Sequence, residues 1–293
     1  MSLLQSIIMG LIQGLTEFLP VSSSGHLAIF QTIFHVNTDT GLLFDVLLHM
    51  GTLIAIFAVY YKDIWEMIKE GIAIVIDICV NLGIFVSNLF SRDKKEYRSM
   101  VDTSYRKFVI LILISTIPTG IIGILASDLI EAASQTLIVP GTCLIITGIL
   151  LFISDRLPNG ERTPKTTSYG QSLFIGITQG FATLPGLSRS GTTITACLLC
   201  GFDRKYAVKY SFIMSIPAVL GAAVLELKDI SAADLAPNVI QNYVVGMVVA
   251  AVVGYICIKT MLVIVRQKKF TIFALYCLIV GVVALAAGCM GLE

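Results

Sequence analysis

Three groups of residues could carry chemistry in this chain: a glutamate, a run of serines ending in a histidine, and an arginine set among hydroxyls. Glu17 stands four residues after Gln13, so the two share a helix face, and it leads through Phe-Leu-Pro-Val into Ser22, Ser23, Ser24, Gly25 and His26. Far along the chain, Ser188-Arg189-Ser190-Gly191-Thr192-Thr193 places a guanidinium between hydroxyls and glycine-freed backbone N–H groups at an expected helix N-terminus. That is a phosphate-binding arrangement. A carboxylate in an apolar stretch is costly and by default suggests function, its plainer reading being an ion pair with Arg189 that serves packing. Each motif is weak evidence alone; brought against one another they become strong.

A repeat is what brings them together. Gly10, Gln13, Gly14, Ser22, Ser24 and Gly25 recur 166 positions later as Gly176, Gln179, Gly180, Ser188, Ser190 and Gly191. Both copies run from an apolar helical stretch through Leu-Pro into a Ser/Gly knot too polar and too broken for a plain spanning helix. Irregular backbone is tolerated at membrane depth only inside protein or around a cavity, so matched interruptions in two halves point to a binding centre.

Composition sets the class. With 56% hydrophobic and 13% charged residues and a mean hydropathy of +0.88, the chain cannot keep a water-soluble surface. Spans are expected near 44–61, 108–128, 137–154, 206–225, 243–265 and 270–290, with re-entrant hairpins at 3–34 and 171–200. The fold expected is therefore an all-α polytopic membrane protein with an inverted-topology repeat. Each half, 1–155 and 156–293, is one hairpin plus three transmembrane helices, and the odd number of crossings inverts the second half. Seventeen of the 20 basic residues then fall in loops on one side, which the positive-inside rule makes cytoplasmic, with both termini outside. The N-terminus lacks a basic leader region, so no cleavable signal peptide is expected.

Residues 71–90 are long enough to cross, but Asp77, Asn81 and Asn88 lie within about 40° on a helical wheel, and such a polar stripe favours a helix at the interface over a seventh span. Tyr60, Tyr61 and Trp65 read as interface anchors. Pro118 and Pro217 are expected to kink their spans. His49 reads mainly as a helix-face partner of Asp45, and His35 and Asp39 as solvated loop residues. Cys197 and Cys200, although a CxxC, read as buried small residues. The basic residues form no stripe, so no nucleic-acid partner is expected.

The run from Gln13 to His26, together with Pro185-Gly-Leu-Ser-Arg-Ser-Gly-Thr-Thr193, resembles the two signature motifs of the bacterial undecaprenyl pyrophosphate phosphatases, also called bacitracin resistance proteins. Length and two-hairpin layout agree, so the resemblance covers nearly the whole chain. It implies removal of the terminal phosphate from undecaprenyl diphosphate, recycling the lipid carrier for cell-wall synthesis, at a site open to the extracytoplasmic face. Carried over, it implies Glu17 as ligand of a divalent cation, Mg²⁺ or Ca²⁺, and Arg189 as the clamp on the diphosphate. Ser23 is the implied nucleophile with His26 as its base, or His26 itself attacks. Ser188, Ser190, Thr193 and Gln179 are implied to line the phosphate pocket, with Gln13, Ser22 and Ser24. This chain has Gln13 where many members have Glu.

The partners expected are undecaprenyl diphosphate and membrane lipid, with a homodimer as the assembly to test. A lipid-carrier transporter or flippase with the same midplane site is the alternative reading, since broken helices in inverted repeats are transporter architecture; it leaves the convergence of Ser, His, Glu and Arg unexplained. A type 2 phosphatidic acid phosphatase shares fragments of the motifs but requires a further His beyond Arg189, and the chain has three His in all, none there.

Overall fold

The computed structural model describes residues 2–33, 41–91, 93–134, 136–226 and 237–291. His35, Asp39 and Lys228 lie outside them. The described residues fold into helices α1 (Leu3–Phe18), α2 (Ser23–Ile33), α3 (Gly41–Phe90), α4 (Ser104–Leu125), α5 (Ser127–Ser134), α6 (Ile138–Arg156), α7 (Tyr169–Phe181), α8 (Arg189–Leu199), α9 (Arg204–Glu226), α10 (Pro237–Arg266) and α11 (Thr271–Cys289). Six of them, α3, α4, α6, α9, α10 and α11, are long and apolar enough to cross a membrane. Each overlaps one of the six expected spans. The outer surface is rich in large apolar side chains, such as Ile117, Ile121, Ile279 and Val283, each more than half exposed, while Ser6, Gln13, Ser115, Thr147, Ser172, Ser188 and Ser211 are fully buried. Apolar outside and hydroxyl-rich inside is the arrangement of a protein whose solvent is lipid. This is a multi-pass membrane protein.

The repeat is legible in the helices themselves. Ser2 and Ser168, 166 apart, each cap the following helix, accepting from Gln5 N–H and Gln171 N–H, whose side chains reach back to the cap nitrogens. Helices α2 and α8 begin and end in the same register. The first hairpin lays α1 along α10, and the second lays α7 along α4, while α6 packs against α11. Glycine allows the close approach in each pair: a Cβ on Gly10 would run into the Gly246 carbonyl, and one on Gly176 into the Ser115 backbone.

The four loops expected to be cytoplasmic meet at one end of the bundle. Lys107 Nζ donates to the Lys165 carbonyl at 3.0 Å, Arg162 N–H to Gly201 O at 3.1 Å, and Arg204 to Leu157 O at 3.0 Å. Asp155 caps α11, accepting from Phe270 N–H and Thr271 N–H at 2.9 and 2.6 Å. At the same end Lys209 of α9 pairs with Asp63 of α3 at 2.7 Å.

Residues 71–90 start no helix of their own. They continue α3, whose non-helical residue is Tyr60 (φ −108°, ψ 21°). Tyr60 is 6% exposed and packs in the core, which corrects its reading as an anchor; Tyr61 and Trp65 are about 60% exposed, as anchors would be. The polar stripe is covered by the chain's own return. Asn81 exchanges two hydrogen bonds with the Arg98 backbone and Asn88 two with that of Lys95, while Asp77 receives Arg98 at 3.2 Å and Arg106 at 2.8 Å. Ile72, Val75, Ile76, Leu82, Val86 and Leu89 remain exposed around the other faces. Pro118 and Pro217 sit inside the continuous helices α4 and α9.

Candidate active site

Local sequence rules end α1 where the site begins. Leu19 precedes Pro20, which forces extended backbone (φ −71°, ψ 142°) and stops the helix at Phe18. Ser22 then adopts φ 69°, a left-handed conformation costing about 1 kcal/mol or more for a residue with a side chain. It is held there by its own bonds: its hydroxyl accepts from Gly25 N–H at 3.3 Å and its carbonyl from His26 N–H at 3.3 Å. In the second hairpin Gly186 supplies the left-handed residue (φ 87°), and Ser188 caps α8 by accepting from Gly191 N–H at 3.1 Å.

The two turns touch where side chains are missing. A Cβ added to Gly25 would lie 2.9 Å from the Gly186 Cα, and one on Gly191 would lie 3.3 Å from Pro20. This contact sets Ser23, the first residue of α2, near Arg189, the first residue of α8, with Glu17 between them. Ser23 Oγ donates to Glu17 Oε2 at 2.6 Å, and Arg189 Nη2 donates to Glu17 Oε1. The carboxylate is 5% exposed and the guanidinium side chain 18%. Gln13 Nε2 donates to Glu17 Oε2 at 3.2 Å and lies 3.1 Å from His49 Nδ1, which is itself 3.9 Å from Glu17 Oε2. Arg189 Nη1, Gln13 Oε1 and Thr192 Oγ1 are buried with no protein partner. Buried polar atoms left open in this way suit a ligand that brings its own oxygens and charge.

The expected Ser23–His26 pair is not formed. His26 Nδ1 lies 2.7 Å from the Ser22 carbonyl and Nε2 lies 2.7 Å from the Tyr276 hydroxyl, while Ser23 bonds the carboxylate. The left-handed turn at Ser22 directs its carbonyl at the imidazole, so the group that accepts from the Ser23 hydroxyl is the Glu17 carboxylate. Ser22 and Ser24 pair at 3.3 Å, as Ser188 and Ser190 do at 3.4 Å, and Ser190 reaches the Leu19 carbonyl across the hairpin contact at 3.4 Å. Two candidates face elsewhere. Gln179 donates to Thr119 on α4 at 3.3 Å, and Thr193 is bonded to Arg189 O at 2.8 Å and to Ser211 on α9 at 2.6 Å. Conversely, the site takes in His49 and Tyr276. His49 carried a signal, a histidine inside an apolar span; Tyr276, in an apolar run 250 residues from His26, carried none.

Fold and site together define an integral membrane protein with a carboxylate, a hydroxyl and an arginine converging where two helical hairpins meet. The chain belongs to the family described as Bacitracin resistance protein BacA, whose model matches residues 6–283. It is 40% identical over 285 residues to an undecaprenyl-diphosphatase of Methanosphaera stadtmanae, covering 97% of this chain and 98% of that one. Proteins of the same name from Methanobrevibacter smithii (41% over 284 residues, 97% and 96% covered) and Halothermothrix orenii (40% over 282 residues, 96% of each) are similarly close.

Proposed function

We propose that this protein hydrolyses undecaprenyl diphosphate to undecaprenyl phosphate and inorganic phosphate, with Ser23 as nucleophile and Glu17 as its base. The activity is that of the full-length relatives. The observation that carries the residue roles is the Glu17 carboxylate, one oxygen taking the Ser23 hydroxyl at 2.6 Å and the other the Arg189 guanidinium. As Ser23 Oγ bonds to the terminal phosphorus, its proton passes to Glu17 and the bridging P–O bond breaks, releasing the lipid monophosphate. Arg189 Nη1, buried and unpartnered, is placed to meet a phosphate oxygen and stabilise charge there. Water then attacks the phosphoserine, giving a proton to His26, and Ser23 leaves with the proton held by Glu17.

A divalent cation, Mg²⁺ or Ca²⁺, fits beside Glu17, because the open Gln13 Oε1 adds a second hard oxygen and the diphosphate would supply others. Bound there, it would neutralise diphosphate charge. The matched hairpins and the three long helices that follow each support an inverted-topology repeat. The clustering of the basic loops at one end supports a cytoplasmic assignment for that end, with both termini and the site's opening on the extracytoplasmic side. The exposed apolar faces of 71–90, opposite the covered stripe, support a helix lying in the cytoplasmic interface.

Phosphate release from a polyprenyl diphosphate by the purified protein in detergent, with and without EDTA, tests this reading. Release that requires the metal and is lost in Ser23→Ala and Arg189→Ala is expected. No release from folded wild-type protein would overturn the phosphatase and leave lipid-carrier transport to be measured in proteoliposomes.

A further inference from the structure

His26 is gripped from two sides. Its Nδ1 is 2.7 Å from the Ser22 carbonyl, and because a carbonyl only accepts, the proton of the neutral ring sits on Nδ1. The Nε2 lone pair then accepts from the Tyr276 hydroxyl, also at 2.7 Å. The two rings stack with centroids 5.5 Å apart and planes 12° from parallel. Next to this contact, Cys277 Sγ meets the Pro20 carbonyl at 3.7 Å, so α11 is seated directly on the tip of the first hairpin. Tyr276 is 43% exposed, so its ring stands at the edge of the protein and not in the packed core.

We propose that Tyr276 holds His26 in place and links it to the attacking water in the hydrolytic step. Its hydroxyl and the Ser22 carbonyl fix the orientation and tautomer of His26 between them, and the proton of the attacking water reaches Nε2 through the phenol, the water giving a proton to the Tyr276 oxygen as the phenol's own proton moves to Nε2. Without the phenol, the ring keeps one anchor and can rotate about it, and the water loses this route to Nε2. A tyrosine that served only as a packing ring or an interface anchor would need its aromatic face and not its O–H. The inference rests on the phosphatase reading, which wild-type turnover tests separately.

Phosphate release is to be followed for wild type, Tyr276→Phe and Tyr276→Leu. Expected is a kcat lower by about tenfold in both variants, with KM within about twofold of wild type. Turnover of Tyr276→Phe at the wild-type rate, or a change confined to KM, would overturn the proposal. A second measurement does not depend on turnover. The chain has three His, so ¹⁵N-histidine-labelled protein in detergent gives three ring systems, with His26 identified by its loss in His26→Gln. The Nδ1–H form is expected for His26 in wild type, moving toward a mixture of tautomers in Tyr276→Phe. An Nε2–H form in wild type, or a His26 signal indifferent to Tyr276→Phe, would overturn the assignment.

Discussion

Glu17 touches the Ser23 hydroxyl, the proposed nucleophile, and the Arg189 cation at once, and the two contacts pull its chemistry in different directions. The Arg189 pairing favours a fixed negative charge, whereas accepting a proton from Ser23 requires that charge to be given up as the phosphate arrives. Substrate resolves the conflict if phosphate oxygens draw Arg189 to themselves. Glu17→Gln keeps the shape and removes the base, so kcat should fall by about 10² to 10³; a loss smaller than about tenfold would show that Ser23 is activated by another group. At this scale the sequence displayed the participants but not their pairing. Ser23 and His26, three apart at a helix start, look like partners by spacing, yet one unusual backbone angle at Ser22 gives the imidazole a carbonyl instead. Tyr276 could not be read at all, because an isolated tyrosine in a spanning helix has the same signature as an anchor.

The helices owe their placement to residues that lack side chains. Gly186 combines φ 87° with a Cβ position that would collide with the Pro140 backbone, so Gly186→Ala should destabilise the second hairpin by about 2 kcal/mol or more, abolishing phosphate release and lowering the thermal midpoint in detergent. Gly120→Ala, where an added Cβ meets nothing within 4 Å, should leave both unchanged and serves as the control. The ends of the helix pairs α1–α2 and α7–α8 fall within two residues of 3–34 and 171–200, because Leu-Pro and the serine caps act locally. The 71–90 segment was legible as a polar face and an apolar face, but the occupant of the polar face was not, since backbone from residues 95 and 98 has no sequence signature. Asn81→Ala with Asn88→Ala should therefore raise protease cleavage between 91 and 103 while phosphate release stays within about twofold of wild type. Unchanged cleavage would mean that the two asparagines do not hold this strap.

At the scale of the whole molecule, the proposed orientation rests on the basic loops gathered at one end of the bundle. Composition and hydropathy were enough to recognise a multi-pass membrane protein and to place six spans, because lipid imposes helix length and apolarity on any sequence that crosses it. With Cys79 and Cys289 replaced by serine, Lys165→Cys or Lys268→Cys should react with an impermeant thiol reagent in intact cells only after permeabilisation. Labelling of intact cells would reverse the sidedness argued above. What hydropathy could not reveal is how the two halves share their work. Ser23 and Arg189 stand at one and the same register position, 166 residues apart, and both hold the same carboxylate. A pair of identical half-length chains could place two serines or two arginines around Glu17, never one of each. Within a single chain the two copies are free to differ at that position, and here they do, so that one carboxylate meets a hydroxyl from one half and a guanidinium from the other.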